Sequence, residues 1–289
     1  MSFIIPDSEL EGLLQRYTHC ITDQAHEGRF DPITGRDDEL GQMILILLQR
    51  MRKNVMLLGP AGIGKTALFA GLAQWINADK VPHMLKGARI IELEMSMIGA
   101  GSQDRAQLEG RLIPIIKGVA ERNRTRERPP IIFCIDEFHQ LTVPYKASSF
   151  SGVADLLKPY LTAGDLYVVG ATTREEYDEY VKVEPAIDRR FQKIHMFVPD
   201  VKATEGILVN VKGNFETHYN LKISDEICIR IVKMTDRYMR NRNNPDKSIL
   251  ALDLACAYAI RQGVVGALDD DSVNFAIGTE AGIHPSAIR

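Results

Sequence analysis

Between Leu57 and Gln74 the chain reads LLGPAGIGKTALFAGLAQ: an apolar run, a glycine-rich turn carrying Lys-Thr, and a stretch with helical periodicity. Few sequence features constrain a fold as tightly. GPAGIGKT, Gly59 to Thr66, fits G-x-x-x-x-G-K-[ST], in which glycines let the backbone wrap around phosphate oxygens at a helix N-terminus. A flexible turn could match by chance, but strand, glycines, Lys-Thr and helix would all have to coincide. In this reading Gly59, Pro60, Ala61, Gly62, Ile63 and Gly64 supply the cradle, and Ala67 opens the helix. Lys65 reaches the β- and γ-phosphates, and the Thr66 hydroxyl ligates magnesium.

A phosphate loop of this kind needs a strand on one side and a helix on the other, and the rest of the chain supplies that context. Apolar runs at Asn54–Leu58, Arg89–Leu93, Ile131–Ile135 and Leu166–Gly170 alternate with helical patterns, the signature of a parallel sheet covered on both faces. Asp23–Asp31, Thr162–Asp165 and Asn123–Pro130 read as turns or polar loop. After Pro199 the strands are expected to stop, because ATEGILVNVKGNFETHY, SDEICIRIVKMTDRYM and SILALDLACAYAIR repeat apolar residues every three to four positions. The expected fold is therefore α/β, a P-loop nucleotide-binding domain followed by a small all-helical domain. The expected boundaries are an N-terminal segment 1–35, an α/β domain 36–199 and a helical domain 200–289.

A second element carries chemistry. IIFCIDEF, Ile131 to Phe138, is an apolar strand ending in two carboxylates. Asp136 is placed to hold the magnesium shell, and Glu137 to orient and polarise an attacking water. A strand end capped by solvated acids is the plainer alternative, and the upstream phosphate loop weighs against it. Together the two motifs predict hydrolysis of ATP with Mg2+.

Composition narrows the class further. With 289 residues, of which 45% are hydrophobic and 25% charged, the chain can bury a sizeable core. A formal charge of −3 gives no reason to expect a general polyanion binder. The basic stretches Gln49–Asn54 and Arg122–Arg128 read as solvated helix ends or loops before they read as nucleic-acid contacts. Cys20, Cys134, Cys228 and Cys256 form no C-x-x-C pair, and no run approaches the roughly 18 apolar residues of a membrane span. A reducing cytoplasmic setting without a membrane anchor is expected. His139 has no spaced His or Cys partner that would suggest zinc.

The order LLGPAGIGKT, IIFCIDEFH, VVGATTREEY, AIDRRFQKI and NNPDKSI resembles the first AAA+ module of the Clp ATPases, ClpA, ClpB and ClpC. The upstream THCITDQAHEGRFDPITGRDDEL is similar to the segment preceding their phosphate loop, so the likeness runs from Tyr17 onward. The resemblance implies that Asp31–Arg36 lines the adenine, with Pro32 and Ile33 as an apolar wall. It implies that Thr173 senses the γ-phosphate, with Thr172 as the alternative one position away. It also implies that Arg189 and Arg190 reach the nucleotide of a neighbouring subunit in a homo-oligomer, a hexameric ring in that family, that acts on a protein client.

Two departures qualify this. Where Clp unfoldases carry a gripping aromatic, GAGSQDRAQLEGRL presents Asp104, which offers no apolar purchase on a threaded chain. No second ATPase module follows GTEAGIHPSAIR, and there is no room for a coiled-coil insertion, so the reading is of a stand-alone first module. Three functions follow, in order of preference: a motor remodelling a specific protein assembly, a nucleotide-switched adaptor with weak hydrolysis, and an AAA+ protein acting on DNA.

Overall fold

The computed structural model describes residues 5–100, 105–142 and 153–288, and the expectation about Asp104 falls outside them. The chain forms two compact units, one of Met1–Phe30, Asp38–Gly59 and Lys65–His195, the other of Asp31–Asp37, Pro60–Gly64 and Met196–Arg289.

The first unit is built on a six-stranded sheet of β1 (His19–Cys20), β2 (Asn54–Leu58), β3 (Arg89–Glu92), β4 (Ile131–Ile135), β5 (Tyr167–Thr172) and β6 (Phe191–His195), in the order β1-β3-β4-β5-β2-β6. Every pairing is parallel except that of the short edge strand β1 with β3. Every residue of β2 and β4 is buried, which explains why NVMLL and IIFCI read as unbroken apolar runs. Gly170 in β5 is required by packing: a Cβ there would lie 2.9 Å from the Phe138 ring and 3.0 Å from Met56. The sequence reading did not separate β6 as a strand, because an edge strand has one neighbour and FQKIH buries only Phe191 and Ile194.

Three other expectations change. Ile21–His26 is a helix, so the expected turn over Asp23–Asp31 begins only after His26. Buried Ile21 and Thr22 hold it, and Asn77 Nδ2 donates to the Thr22 carbonyl at 2.9 Å. The helix Arg105–Thr125 likewise runs into the expected polar loop. There Asn123 grips the start of β4, its Oδ1 accepting from Ile131 N at 2.9 Å and its Nδ2 donating to Ile131 O at 3.0 Å. At the turn over Thr162–Asp165, the helix Val153–Ala163 continues to Ala163 before Gly164 reverses the chain at φ 77°.

The basic run Arg122–Arg128 has partners within the fold. The N-terminal helix Asp7–Tyr17 buries Leu10 and Leu14 and offers Glu11, which accepts from Arg89 at 2.7 Å and faces Arg122 at 3.5 Å. Arg128 pairs with Asp7 and Arg124 with Glu121. In the other basic stretch Lys53 is buried, with its ammonium 4.0 Å from the Tyr167 ring centre.

In the second unit the helices Val201–Tyr219, Asp225–Tyr238, Asp246–Arg261 and Asp270–Ala281 pack around Leu208, Ile231, Val232, Ala255 and Ile277. Asp200, Ser224 and Asp269 cap three of them by accepting from backbone N–H groups. Strands do not stop altogether after Pro199: β7 (Leu221–Lys222) and β8 (Gly266–Ala267) form a two-residue parallel ladder, too short to leave a periodicity in the sequence. Cys134, Cys228 and Cys256 are buried and unpaired, and burial pushes the Cys228 thiol up to about 11 and that of Cys256 to about 12.

Candidate active site

Register fixes what the first unit brings together. Leu58 lies opposite Thr172, and Ile135 opposite Gly170, so β2, β4 and β5 end side by side and the residues that follow them share one edge. Gly59 N donates to Thr172 O at 3.4 Å across that edge. Lys65 Nζ donates to the Gly59 carbonyl at 2.8 Å, and Thr66 Oγ1 donates to Asp136 Oδ2 at 2.5 Å. Burial lowers the Lys65 pKa, with Asp136, Glu176 and Glu175 pulling the other way. A hard divalent cation takes oxygen ligands, and a hydroxyl and a carboxylate already in contact are a suitable pair.

The other Asp136 oxygen accepts from Glu137 N at 2.9 Å. Glu137 itself adopts φ 48°, a left-handed conformation that disfavours a non-glycine residue, and its carboxylate accepts from Gln140 Nε2. Backbone strain of about 1–3 kcal/mol per residue is commonly retained at functional positions, and here it sits on the carboxylate expected to handle water. Nearby, burial raises the Glu92 pKa, reinforced by Asp136 and Glu94 and opposed by His19.

The two threonines after β5 differ in what their hydroxyls do. Thr172 is buried and donates to Glu176 Oε2 at 2.8 Å, with His139 Nδ1 3.0 Å away. Thr173 caps the short helix Arg174–Glu176: its Oγ1 accepts from Glu176 N at 3.2 Å while its own N–H donates to Glu176 Oε2 at 3.0 Å. Acceptance at the cap leaves the Thr173 hydroxyl proton to donate elsewhere. Burial would raise the Glu176 carboxyl, but donation from Thr173 and Thr172 holds it below its ordinary value.

Arg189 and Arg190 lie at the other edge of the sheet. Phe191 pairs with Asn54 and His195 with Leu58, so the arginines precede the start of β6 while the phosphate-loop residues follow the end of β2. At about 3.3 Å per residue, that separates the backbones by more than 10 Å. Arg189 is exposed; Arg190 is half-buried, and its carbonyl lies 3.5 Å from Asn54 Nδ2. Asp188, just before them, accepts from Lys193 Nζ at 2.8 Å and from the Tyr177 hydroxyl. Neither contact was legible in the sequence.

In the second unit, the turn Asp31–Asp37 and the loop segment Pro60–Gly64 belong together. Gly62 and Gly64 have φ of 76° and 91°, conformations that favour glycine. Arg36 is buried and donates to Ile63 O at 2.8 Å and to Phe197 O at 3.3 Å. Asn243 Nδ2 donates to Ala61 O at 3.0 Å, and Asp246 N donates to Gly62 O at 3.3 Å. Pro32 is exposed and Ile33 half-buried, beside Asp31, which accepts from Asn214. Within the first unit, the Lys65 ammonium, the Thr66 hydroxyl and the Asp136 and Glu137 carboxylates are groups of the kind a magnesium nucleotide takes.

Residues 55–199 match the model of the ATPase family associated with various cellular activities, AAA, and residues 200–265 match the AAA lid domain. The chain belongs to the AAA family. Among its AAA relatives, the chaperone protein ClpB of Vibrio cholerae is 36% identical over 249 residues, 86% of this chain and 28% of that protein. ClpB of Rickettsia prowazekii is 38% identical over 244 residues, 84% of this chain and again 28% of the relative. The chain thus spans little more than a quarter of the length of these relatives. Among AAA structures, a closed-state reconstruction of Hsp104 with ATPγS and FITC casein superposes with a TM-score of 0.84 at 32% identity, covering 93% of this chain and 45% of that one. The Saccharomyces cerevisiae Hsp104–ADP complex gives 0.82 at 31% identity, with the same coverage. Among the described residues no helix is long and apolar enough to cross a membrane.

Proposed function

We propose that this AAA protein binds ATP with magnesium and hydrolyses it, and that assembly into a homo-oligomeric ring completes each active site. The observation that carries the catalytic part is the contact of Thr66 with Asp136, which joins the end of the phosphate loop to the acidic strand end. In this reading Gly59 to Gly64 and Ala67 surround the phosphates through backbone N–H groups, Lys65 supplies a mobile positive charge, and Thr66 and Asp136 hold the metal. Bound magnesium would neutralise phosphate charge as the terminal phosphoryl group departs. Glu137, extended from a left-handed residue, orients a water and accepts its proton. Thr173 donates to the terminal phosphate. Pro32 and Ile33 pack on the base.

The position of Arg189 and Arg190 at the sheet edge away from Lys65 and Asp136 supports a role at a neighbour's nucleotide, where their charge would stabilise the transition state. Among the relatives, Hsp104 is resolved with casein, a protein, and a specific protein client in the cytoplasm is the corresponding reading here. Asp104 in place of a gripping aromatic favours a partner docked by charge and shape over arbitrary unfolded chains. The same residue keeps a second reading in view, an adaptor that switches with nucleotide and does not thread.

Phosphate release measured with and without magnesium, beside Lys65→Ala, tests the first claim. Magnesium-dependent release that the variant abolishes supports it; a wild-type protein that binds no nucleotide would refute it.

A further inference from the structure

Three consecutive carbonyls of the phosphate loop are held from outside the motif. Ala61 O accepts from Asn243 Nδ2, Gly62 O from Asp246 N, and Ile63 O from Arg36 Nη2, at 3.0, 3.3 and 2.8 Å. The N–H groups of Gly62, Ile63 and Gly64 donate to no backbone carbonyl among the described residues. A short loop with its carbonyls tied down in this way has its N–H groups left over for an anion. The donors come from two distant segments, Asp31–Asp37 and the stretch from Asn243 into the start of the helix Asp246–Arg261, and Arg36 also reaches Phe197 O. Space is as closely matched as polarity: a Cβ on Gly62 would stand 3.1 Å from the Asp246 Cβ.

We propose that Arg36 and Asn243 are positioning residues for phosphate binding: by holding the Ala61 and Ile63 carbonyls they keep the loop shaped for the nucleotide before it arrives. This rests on the reading of Gly59–Thr66 as a phosphate cradle. Neither side chain has to touch the ligand. An unrestrained glycine loop would lose conformational freedom when phosphate binds, and a loop already fixed by three hydrogen bonds loses less. For Asn243 the effect is confined to the phosphate-dependent part of affinity, because Asn243 holds a loop carbonyl and lies outside the turn Asp31–Arg36 read as base-contacting, to which Arg36 belongs. Asn243 is neutral, so its contribution is separable from the long-range attraction of the Arg36 charge.

The test compares ADP and adenosine binding by displacement of a fluorescent ADP, in the wild type and in Asn243→Ala, Arg36→Lys, Arg36→Met and Lys65→Ala. Asn243 is half-buried where Arg36 is buried, so its variant is expected to disturb the fold less than Arg36→Met. Asn243→Ala is expected to weaken ADP binding about tenfold while adenosine changes less than twofold. Arg36→Lys, which keeps the charge but loses the rigid planar guanidinium whose Nη2 donates to both Ile63 O and Phe197 O, is expected to fall between wild type and Arg36→Met. Wild-type ADP affinity in both Asn243→Ala and Arg36→Lys would overturn the proposal, as would equal losses for ADP and adenosine in Asn243→Ala. ADP binding indifferent to Lys65→Ala would instead overturn the phosphate-cradle reading, and this inference with it.

Discussion

The Thr66 hydroxyl and the Asp136 carboxylate, 70 positions apart in sequence, meet at 2.5 Å because β2 and β4 flank β5 and end at the same edge of the sheet. One residue begins a helix and the other ends a strand. If both hold the metal, Thr66→Ala should reduce magnesium-dependent turnover about 100-fold, equivalent to roughly 2.7 kcal/mol of transition-state stabilisation. Thr66→Ser, which keeps the hydroxyl, should stay within about tenfold of wild type, or roughly 1.4 kcal/mol. Steady-state phosphate release across a magnesium titration checks both, and equal rates for Ala and Ser would contradict the role.

Much of this arrangement was legible in the sequence because its chemistry is contiguous. GPAGIGKT and IIFCIDEF place uncommon residue types side by side, each next to an apolar strand, and both form strand-to-loop junctions in the fold. What was not legible is long-range or short-lived along the chain. Arg36 and Ile63 are 27 positions apart and Asn243 and Ala61 are 182 apart, and nothing local distinguishes Asn243 from any polar loop residue. The helix Ile21–His26 is six residues long, and the β7–β8 ladder two residues per strand, so neither displays a period. The partners of Arg122 and Arg128 lie on the N-terminal helix, and a charge run alone does not name them.

The left-handed backbone at Glu137 carries a stability prediction. Glycine adopts φ near 48° without the side-chain clash, so Glu137→Gly should raise the free energy of unfolding by about 1 kcal/mol while removing the carboxylate that hydrolysis needs. Chemical denaturation without nucleotide measures this. A less stable variant would mean that the Gln140 contact outweighs the strain.

Arg189 and Arg190 should act across a subunit boundary. ATPase activity per subunit should rise with protein concentration, and an Arg189→Ala, Arg190→Ala variant should lose about 1,000-fold in turnover. Mixing that variant with Glu137→Gln should restore activity at mixed interfaces, since each supplies what the other lacks. Full activity in a demonstrated monomer would contradict the shared site.

Glu92 gives a pH dependence with a definite sign. Its folded-state pKa is raised, chiefly by burial and then by Asp136 and Glu94. The fold therefore favours the protonated form, and the stability this contributes is present below the ordinary carboxylate value and lost as pH rises through the raised value. Glu92→Gln should melt at a higher temperature than wild type near neutral pH, with the gap closing as pH falls through the raised value and gone below about 4.3. A gap that is constant across this range, or that widens in acid, would contradict the assignment.

The central claim is that Glu137 drives hydrolysis in a site that binds ATP without it. The most direct measurement pairs ATP affinity with single-turnover hydrolysis in wild type and Glu137→Gln under saturating magnesium. Affinity is expected to stay within about twofold of wild type while the hydrolysis rate falls about 100- to 1,000-fold. Hydrolysis at the wild-type rate in Glu137→Gln would contradict it.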